Sequence, residues 1–319
     1  MAGFDVSALS AYTDQNRLPL VVKSQLKSKS TNLFTLQTGV KGPTAINLLN
    51  VSLSAQARGC GWSAGTSSAV LTQRVITPAK ADFKVPFCPA DLEAKWTKHE
   101  LMSGALKEQE VLPFEQVITE EFVKGIGAII EVAAWQGDTA SGNANLNKGD
   151  GLIKIIDAAA DEILANTAPY IGTPITVASG GIKKTNISSI IDAMVIAFPA
   201  NIAGNDDLVI ACGTDVFRLY VQAIKDANLF NFVFTADSAF ELVIPGTVIK
   251  LVGLDGLNGT SRLFGFAKSN VFYGVDLEND KDEFKLFYSQ DNDEIRFIAK
   301  MNYGFQVAFT NEVVSFLLA

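Results

Sequence analysis

The chain has 319 residues, 48% of them hydrophobic and 19% charged, which excludes a disordered protein and leaves room for a large core divided into two lobes. A formal net charge of −8 excludes a protein whose main task is gripping nucleic-acid phosphates. No apolar run approaches the ~18 residues of a membrane-spanning helix, and MAGFDVSALSAYTDQN lacks a basic-then-apolar leader pattern, so no membrane role is expected.

Residues 1–45 are polar, rich in Ser, Thr, Lys and Gln, and show no sustained period. They read as an extended arm tied down by Leu33, Phe34 and Leu36. The arm is basic, carrying Arg17, Lys23, Lys27, Lys29 and Lys41 against Asp5 and Asp14. Residues 46–58 and 69–87 then read as strands, with alternation through Val51, Leu53 and Ala55. The Gly-rich stretch GCGWSAGTSS, which holds Trp62, reads as the tip between them. Such a ribbon is too extended to be stable alone in water. Little in the rest of the chain offers it a second sheet, so another subunit is the expected support.

A short helical segment holding Trp96 and His99 follows, and after it a long amphipathic helix over 113–135. Phe114, Val117, Ile118, Phe122, Ile126, Ile129, Ile130 and Ala133 recur at three- and four-residue steps and form one apolar stripe. Pro113 suits the first turn. Trp135, Gln136 and Gly137 end the run, with Gly137 expected in the left-handed conformation that closes helices. Trp135 with Asp138 allows a sugar or ligand site, but an aromatic packing a helix end, with Asp138 capping the next turn, is the preferred reading.

From Gly149 the pattern becomes an α/β lobe. GLIKIIDAAADEILAN reads as a helix with Leu152, Ile153, Ile156, Ala159 and Ile163 inward. TNISSIIDAMVIAF reads as another, capped by Thr185 or Asn186 and ended before Pro199. Asp207–Cys212 is a continuous buried strand, and the helix after it puts Phe217, Tyr220, Val221 and Ile224 on one face. Strands FNFVFT, FELVI and TVIKLV come next. From Ser261 onward the chain is almost all strand, including a hairpin of FKLFYSQ and EIRFIAK around Asp291-Asn292-Asp293. This C-terminal sheet is expected to return to the long helix. Residues 276–294 are acidic, with Asp276, Glu278, Asp280, Asp282, Glu283, Asp291, Asp293 and Glu294 against Lys281 and Lys285. The basic arm and acidic edge read either as two solvated surfaces or as an arm lying on a neighbouring copy.

Catalytic signatures are missing from the sequence: there is no G-x-S-x-G, H-E-x-x-H or G-x-x-x-x-G-K-[ST]. Gly180-Gly181-Ile182-Lys183-Lys184-Thr185 lacks the first glycine of a phosphate loop and reads as a loop into a helix. Gly253, Gly256 and Gly259 are spaced wrongly for a dinucleotide fingerprint. His99 is the single histidine and reads as a surface-helix residue. With only Cys60, Cys88 and Cys212 beside it, a zinc site is not expected. In the hairpin reading Cys60 faces about position 68, far from Cys88, so buried free thiols are preferred to a disulfide. No catalytic residue, cofactor or metal is assigned.

The order of basic arm, long hairpin, long helix ending in WQGDT at Trp135–Thr139, α/β lobe and returning sheet resembles the tailed-bacteriophage major capsid proteins of the HK97 fold. GDGLIKIID at Gly149–Asp157, DLVIACGTDVFRLYVQAI at Asp207–Ile224 and EIRFIAKMNYGFQVAF at Glu294–Phe309 carry the resemblance over nearly the whole chain. It implies an α+β, HK97-like capsid fold. Residues 1–45 would be the N-arm, 46–91 the extended β-hairpin (E-loop), 92–149 and 269–319 the peripheral domain with spine helix 113–135, and 150–268 the α/β axial domain. It implies a virion protein that self-assembles into hexamers and pentamers of an icosahedral head, made in the host bacterial cytoplasm, with double-stranded DNA on its inner face bound without sequence specificity. Portal, scaffolding and decoration proteins would be its partners. Only about 45 residues precede the hairpin, so a separate scaffolding protein is expected. An isopeptide link of Lys80 or Lys84 to Asn302 has no motif behind it. The candidate inter-subunit residues are Arg17, Lys23 and Lys27 of the arm, Val51, Leu53, Trp62, Arg74, Val75 and Ile76 of the hairpin, and Asp280, Asp282 and Asp291 of the acidic edge. The alternatives are an encapsulin-like nanocompartment shell or an α/β ligand-binding protein or enzyme built on 150–268.

Overall fold

The structure, a computed structural model, describes residues 28–55, 68–88, 114–227, 240–276, 284–292 and 294–318. In chain order these form β1 (Thr35–Thr38), β2 (Thr44–Ser52), β3 (Ser68–Ile76), β4 (Ala79–Phe87), α1 (Phe114–Gln136) and α2 (Leu152–Ala159). Next come β5 (Ile163–Leu164), α3 (Ile187–Ala197), β6 (Leu208–Gly213), α4 (Thr214–Asp226), β7 (Glu241–Val243) and β8 (Lys250–Leu254). The last are β9 (Leu263–Ala267), β10 (Val271–Val275), β11 (Lys285–Ser289), β12 (Glu294–Val307) and β13 (Val314–Phe316). The segments FNFVFT, Trp96 and His99 lie outside the described residues.

Two sheets share the core. In the first, β12 is the trunk: β10 and β11 follow one another along one side of it, β4 takes the other, and β1 adds in parallel to β10. The spine helix α1 covers the inner face. Val123, Ile126, Ile130, Ala133 and Trp135 are buried there, and Phe122 stacks on Phe297 with centroids 4.1 Å apart. The second sheet runs β5-β13-β9-β6-β8-β7, with α3 and α4 packed on it. Its centre, β6, is buried at every residue, as expected of a strand covered on both faces.

Several local expectations are corrected. The helix expected over 151–166 stops at Ala159, because Ala160 turns left-handed at φ 52°, and Ile163 belongs to a strand. No glycine or proline marks that break. The stretch 69–87 is two strands, divided at Thr77-Pro78, and its second half pairs with β12 instead of extending the hairpin. The closing strand β13 leaves the β12 sheet and pairs with β9 and β5, so 269–319 does not form one sheet. Asp276 is buried and no part of an acidic surface. Cys88 is exposed, against the buried-thiol expectation, Cys212 is buried in line with it, and Cys60 lies outside the described residues. Leu33 and Phe34 are buried as expected, while Leu36 is not. Lys80 and Lys84 sit on β4, with Lys80 opposite Asn302 of the same chain, so neither lysine rides on the hairpin.

Close backbone contact explains the glycines around WQGD and GDG. A Cβ on Gly137 would lie 2.6 Å from the carbonyl oxygens of Ala133 and Gly149, and one on Gly151 would lie 2.6 Å from the Gly137 nitrogen and the Trp135 oxygen. Gly137 is absent from the positive-φ residues, so closeness rather than handedness requires it. Here Asp138 accepts from Ala140 N–H, as expected of a cap, and also from Lys154 Nζ at 2.7 Å. Lys154 donates equally to Asp150, which accepts from the Thr139 backbone and hydroxyl too.

Hydrogen bonding to Lys154 holds the Asp138 carboxyl below the usual value. Burial pushes Asp150 up, but bonds from Lys154 and Thr139 outweigh it and leave a net lowering. The same two aspartates raise Lys154. Lowered carboxylates stabilise above their unfolded value of about 3.9 and fade as pH falls through the native value. The raised lysine contributes fully below about pH 10.4 and fades only above that. Amide protection over residues 139–150, corrected for intrinsic rates, should therefore hold from about pH 5 to 10 and fall below about pH 3.9. Loss of protection between pH 5 and 7 would contradict a stabilising role for the Lys154 bonds to Asp138 and Asp150.

The segment at 28–34 is core rather than appendage. Glu131, buried on α1, accepts the Ser30 N–H at 2.9 Å, the Ser30 hydroxyl at 2.7 Å and the Ser28 hydroxyl. Trp135 Nε1 donates to the same Ser30 oxygen at 2.7 Å, so the four groups form one chain of bonds. Replacing Glu131 with alanine strands the Ser30 N–H and should cost about 1–3 kcal/mol. Urea unfolding measures it, and a change under 0.5 kcal/mol would show the bonds to be incidental.

Where β10 meets β9 and β12 meets β13, the sheets are joined by one bent two-stranded ribbon. At the bend Asn270 stands in for the ladder: its side chain donates to the Phe309 oxygen and accepts from the Phe309 N–H, both at 2.7 Å, while its own carbonyl accepts from Ala308.

Candidate assembly surface

Among the described residues the β2–β3 hairpin gathers the most exposed large apolar side chains on one element pair: Leu49, Val51, Val70, Leu71 and Val75. Register pairs share a face. Ala45–Val75, Asn47–Gln73, Leu49–Leu71 and Val51–Ala69 lie on one face, and every one of these eight residues is exposed. Leu49 is 59% and Leu71 69% exposed. One polar rung interrupts the face, where Gln73 Nε2 donates to Asn47 Oδ1 at 2.8 Å. Leu53, just beyond the paired stretch, is 83% exposed.

The opposite face behaves differently along its length. At the base Ile46, Leu48 and Ile76 are buried with Val40 and Ala308 against Phe272 and Phe309, on the outer side of the β12 sheet. Farther out Asn50, Ser52, Ser68 and Thr72 make the face polar, with Val70 among them. The ribbon is thus fixed to its own subunit at the root and bare on one apolar side. A groove of about 430 Å³ runs beside the root, lined in part by Leu49, Ile202, Asn205 and Phe309.

The structure sorts the hairpin candidates. Val51, Val75 and Leu53 are exposed, the first two on the apolar face. Ile76 is completely buried within its own chain and is no inter-subunit contact. Arg74 turns back to its own body, donating to Thr310 Oγ1 at 2.7 Å, and is partly exposed. Asp291 is exposed at the turn between β11 and β12. Arg17, Lys23, Lys27, Trp62, Asp280 and Asp282 lie outside the described residues. Leu49, Leu71, Ala45 and Ala69 were missed, although running the alternation of Val51 and Leu53 backward through the Leu48-Leu49 doublet finds Leu49.

Among the described residues no group of His, Cys, Asp and Glu could hold a metal ion, and no helix is long and apolar enough to cross a membrane. Burial pushes the Cys212 thiol up, with Asp215 adding to the effect, which makes it a poor nucleophile.

No family model matches the chain, and no curated protein does. Solved structures do match. A chain of the satellite phage P4 procapsid that includes the size determination protein aligns over 95% of this chain and 98% of its own, at 12% identity and a TM-score of 0.56. A chain of the Myoviridae phage XM1 capsid aligns over 91% of each at 12% identity and 0.54. One from an empty GTA particle capsid covers 93% and 97% at 13% and 0.53. Identity at this level speaks for architecture, and the architecture is shared from end to end: this chain has the HK97-like α+β fold of phage capsid proteins.

Proposed function

We propose that the chain is a structural shell subunit, the major capsid protein of a phage head, which assembles into hexamers and pentamers around double-stranded DNA. The observation that carries this reading is the bare apolar face of β2–β3 on a fold otherwise found in capsids. Burying Leu49, Val51, Leu71 and Val75 would contribute about 1.5–3 kcal/mol each, and closed symmetry multiplies such contacts over many copies. The contributions of the arm and acidic edge, the limits of peripheral and axial domains, and portal, scaffolding and decoration partners belong to the same proposal. A net charge of −8 fits a lining over which packed DNA slides, so tight DNA binding by empty shells would contradict that part. The deciding experiment is negative-stain microscopy of the purified full chain, alone and with proteins encoded beside it. Closed particles of uniform diameter are expected. A monomer that persists at millimolar concentration in both settings would overturn the reading.

A further inference from the structure

We propose that Ile76, seated in a notch made by Gly274 and Gly304, aims the ribbon, so that these three residues govern assembly without touching a neighbouring subunit; the assembly half of this claim rests on the shell reading. The two glycines face each other in register across β10 and β12. A Cβ on Gly274 would lie 3.0 Å from Ile76 Cγ2, and one on Gly304 would lie 2.9 Å from it. The second would also meet the Thr77 oxygen at 3.0 Å and Pro78 Cα at 3.2 Å, the elbow at which the chain leaves the hairpin for β4. Side chains on adjacent antiparallel strands would close this gap, and only their absence lets the hairpin root lie on the sheet.

Two bonds set the rotation about that seat. Gln306 Nε2 donates to the Val75 oxygen at 2.8 Å, and Arg74 donates to Thr310 at 2.7 Å, so the two residues of β3 just before Ile76 are held by β12 and the turn after it. Beyond Leu48 and Thr72 both faces of the ribbon are exposed. The bearing of the apolar face is therefore decided at the root. A small angular error there grows along the ribbon, at about 3.3 Å per residue, into a displacement of several ångströms at Val51.

Ile76→Ala empties the seat, Gly304→Ala blocks it, and Ile76→Val keeps it filled. In the unassembled full-length chain, hydrogen exchange at residues 44–48 and 73–76 should quicken at least tenfold for the first two variants and less than threefold for Ile76→Val, with exchange in β6 and β9 unchanged. In particles, the first two should give at least tenfold fewer closed shells, with open or irregular assemblies in their place, while Ile76→Val assembles normally. Unchanged exchange at the root, or closed shells of normal yield from both Ile76→Ala and Gly304→Ala, overturns the proposal. Accelerated exchange throughout β6 and β9 also overturns it, since the notch would then be general core. The exchange arm reads the seat even where the unaltered chain forms no particle, an outcome that would count against the shell reading instead.

Discussion

Replacing Phe34 with alanine is expected to remove about 3–5 kcal/mol of stability, the largest effect of any single side chain in the arm. Phe34 touches all three parts of the body. Its ring lies 5.9 Å from Trp135 on the spine helix, 6.2 Å from Phe266 in the β6 sheet and 6.2 Å from Phe305 in the β12 sheet. Trp135 is itself stacked on Phe264 at 5.5 Å, and it cannot shift into the space without breaking its bond to Ser30. The loss is thus both transfer free energy and an unfilled cavity, and should appear as a lower urea midpoint with an unchanged slope. Trp135→Phe, which keeps most of the volume but drops the N–H, should cost less, near 1–3 kcal/mol. A Phe34→Ala effect below 1 kcal/mol would show that 28–38 is a strand laid over a finished core.

The second large effect falls on assembly. Leu49→Asp combined with Leu71→Asp places two carboxylates opposite each other on the bare face of the ribbon. Both leucines are mostly exposed within their own chain, so subunit stability should fall by no more than about 1 kcal/mol, chiefly from repulsion between the opposed carboxylates. Every contact made through that face would lose two leucines worth about 1.5–3 kcal/mol each, and each 1.4 kcal/mol is tenfold in an equilibrium constant. Particle yield by sedimentation should fall by orders of magnitude while far-ultraviolet dichroism is retained. Normal particles from the double variant would remove the ribbon's apolar face from the assembly contacts.

How much of this was legible depended on range. The spine helix and the β11–β12 hairpin were readable because their apolar periods are long and bounded by turn chemistry. The buried strand β6 declared itself as an unbroken apolar run. Ala160 escaped because a left-handed alanine leaves no compositional mark. Ile76 and Val75 were grouped together because alternation says that they face opposite ways but not which way meets the sheet; the notch that decides it is made by glycines some 200 and 230 residues later in the chain. The fate of β4 and β13 was hidden for the same reason, since pairing partners far apart in sequence leave no local trace. The Glu131–Ser30 bonds were also missed: a lone glutamate within a helix reads as solvent-facing until its neighbours are known.

The bent ribbon through Asn270 has a mechanical consequence. Two chain crossings lie side by side there, running in opposite directions, so outward tension on one lobe is shared by two covalent backbones, and the hydrogen bonds between them resist twisting of the joint. Such a joint resists rotation, whereas a single crossing would swing like a door. A wall assembled from units of this kind would strain elastically under internal pressure at the borders between units, with each unit keeping its shape.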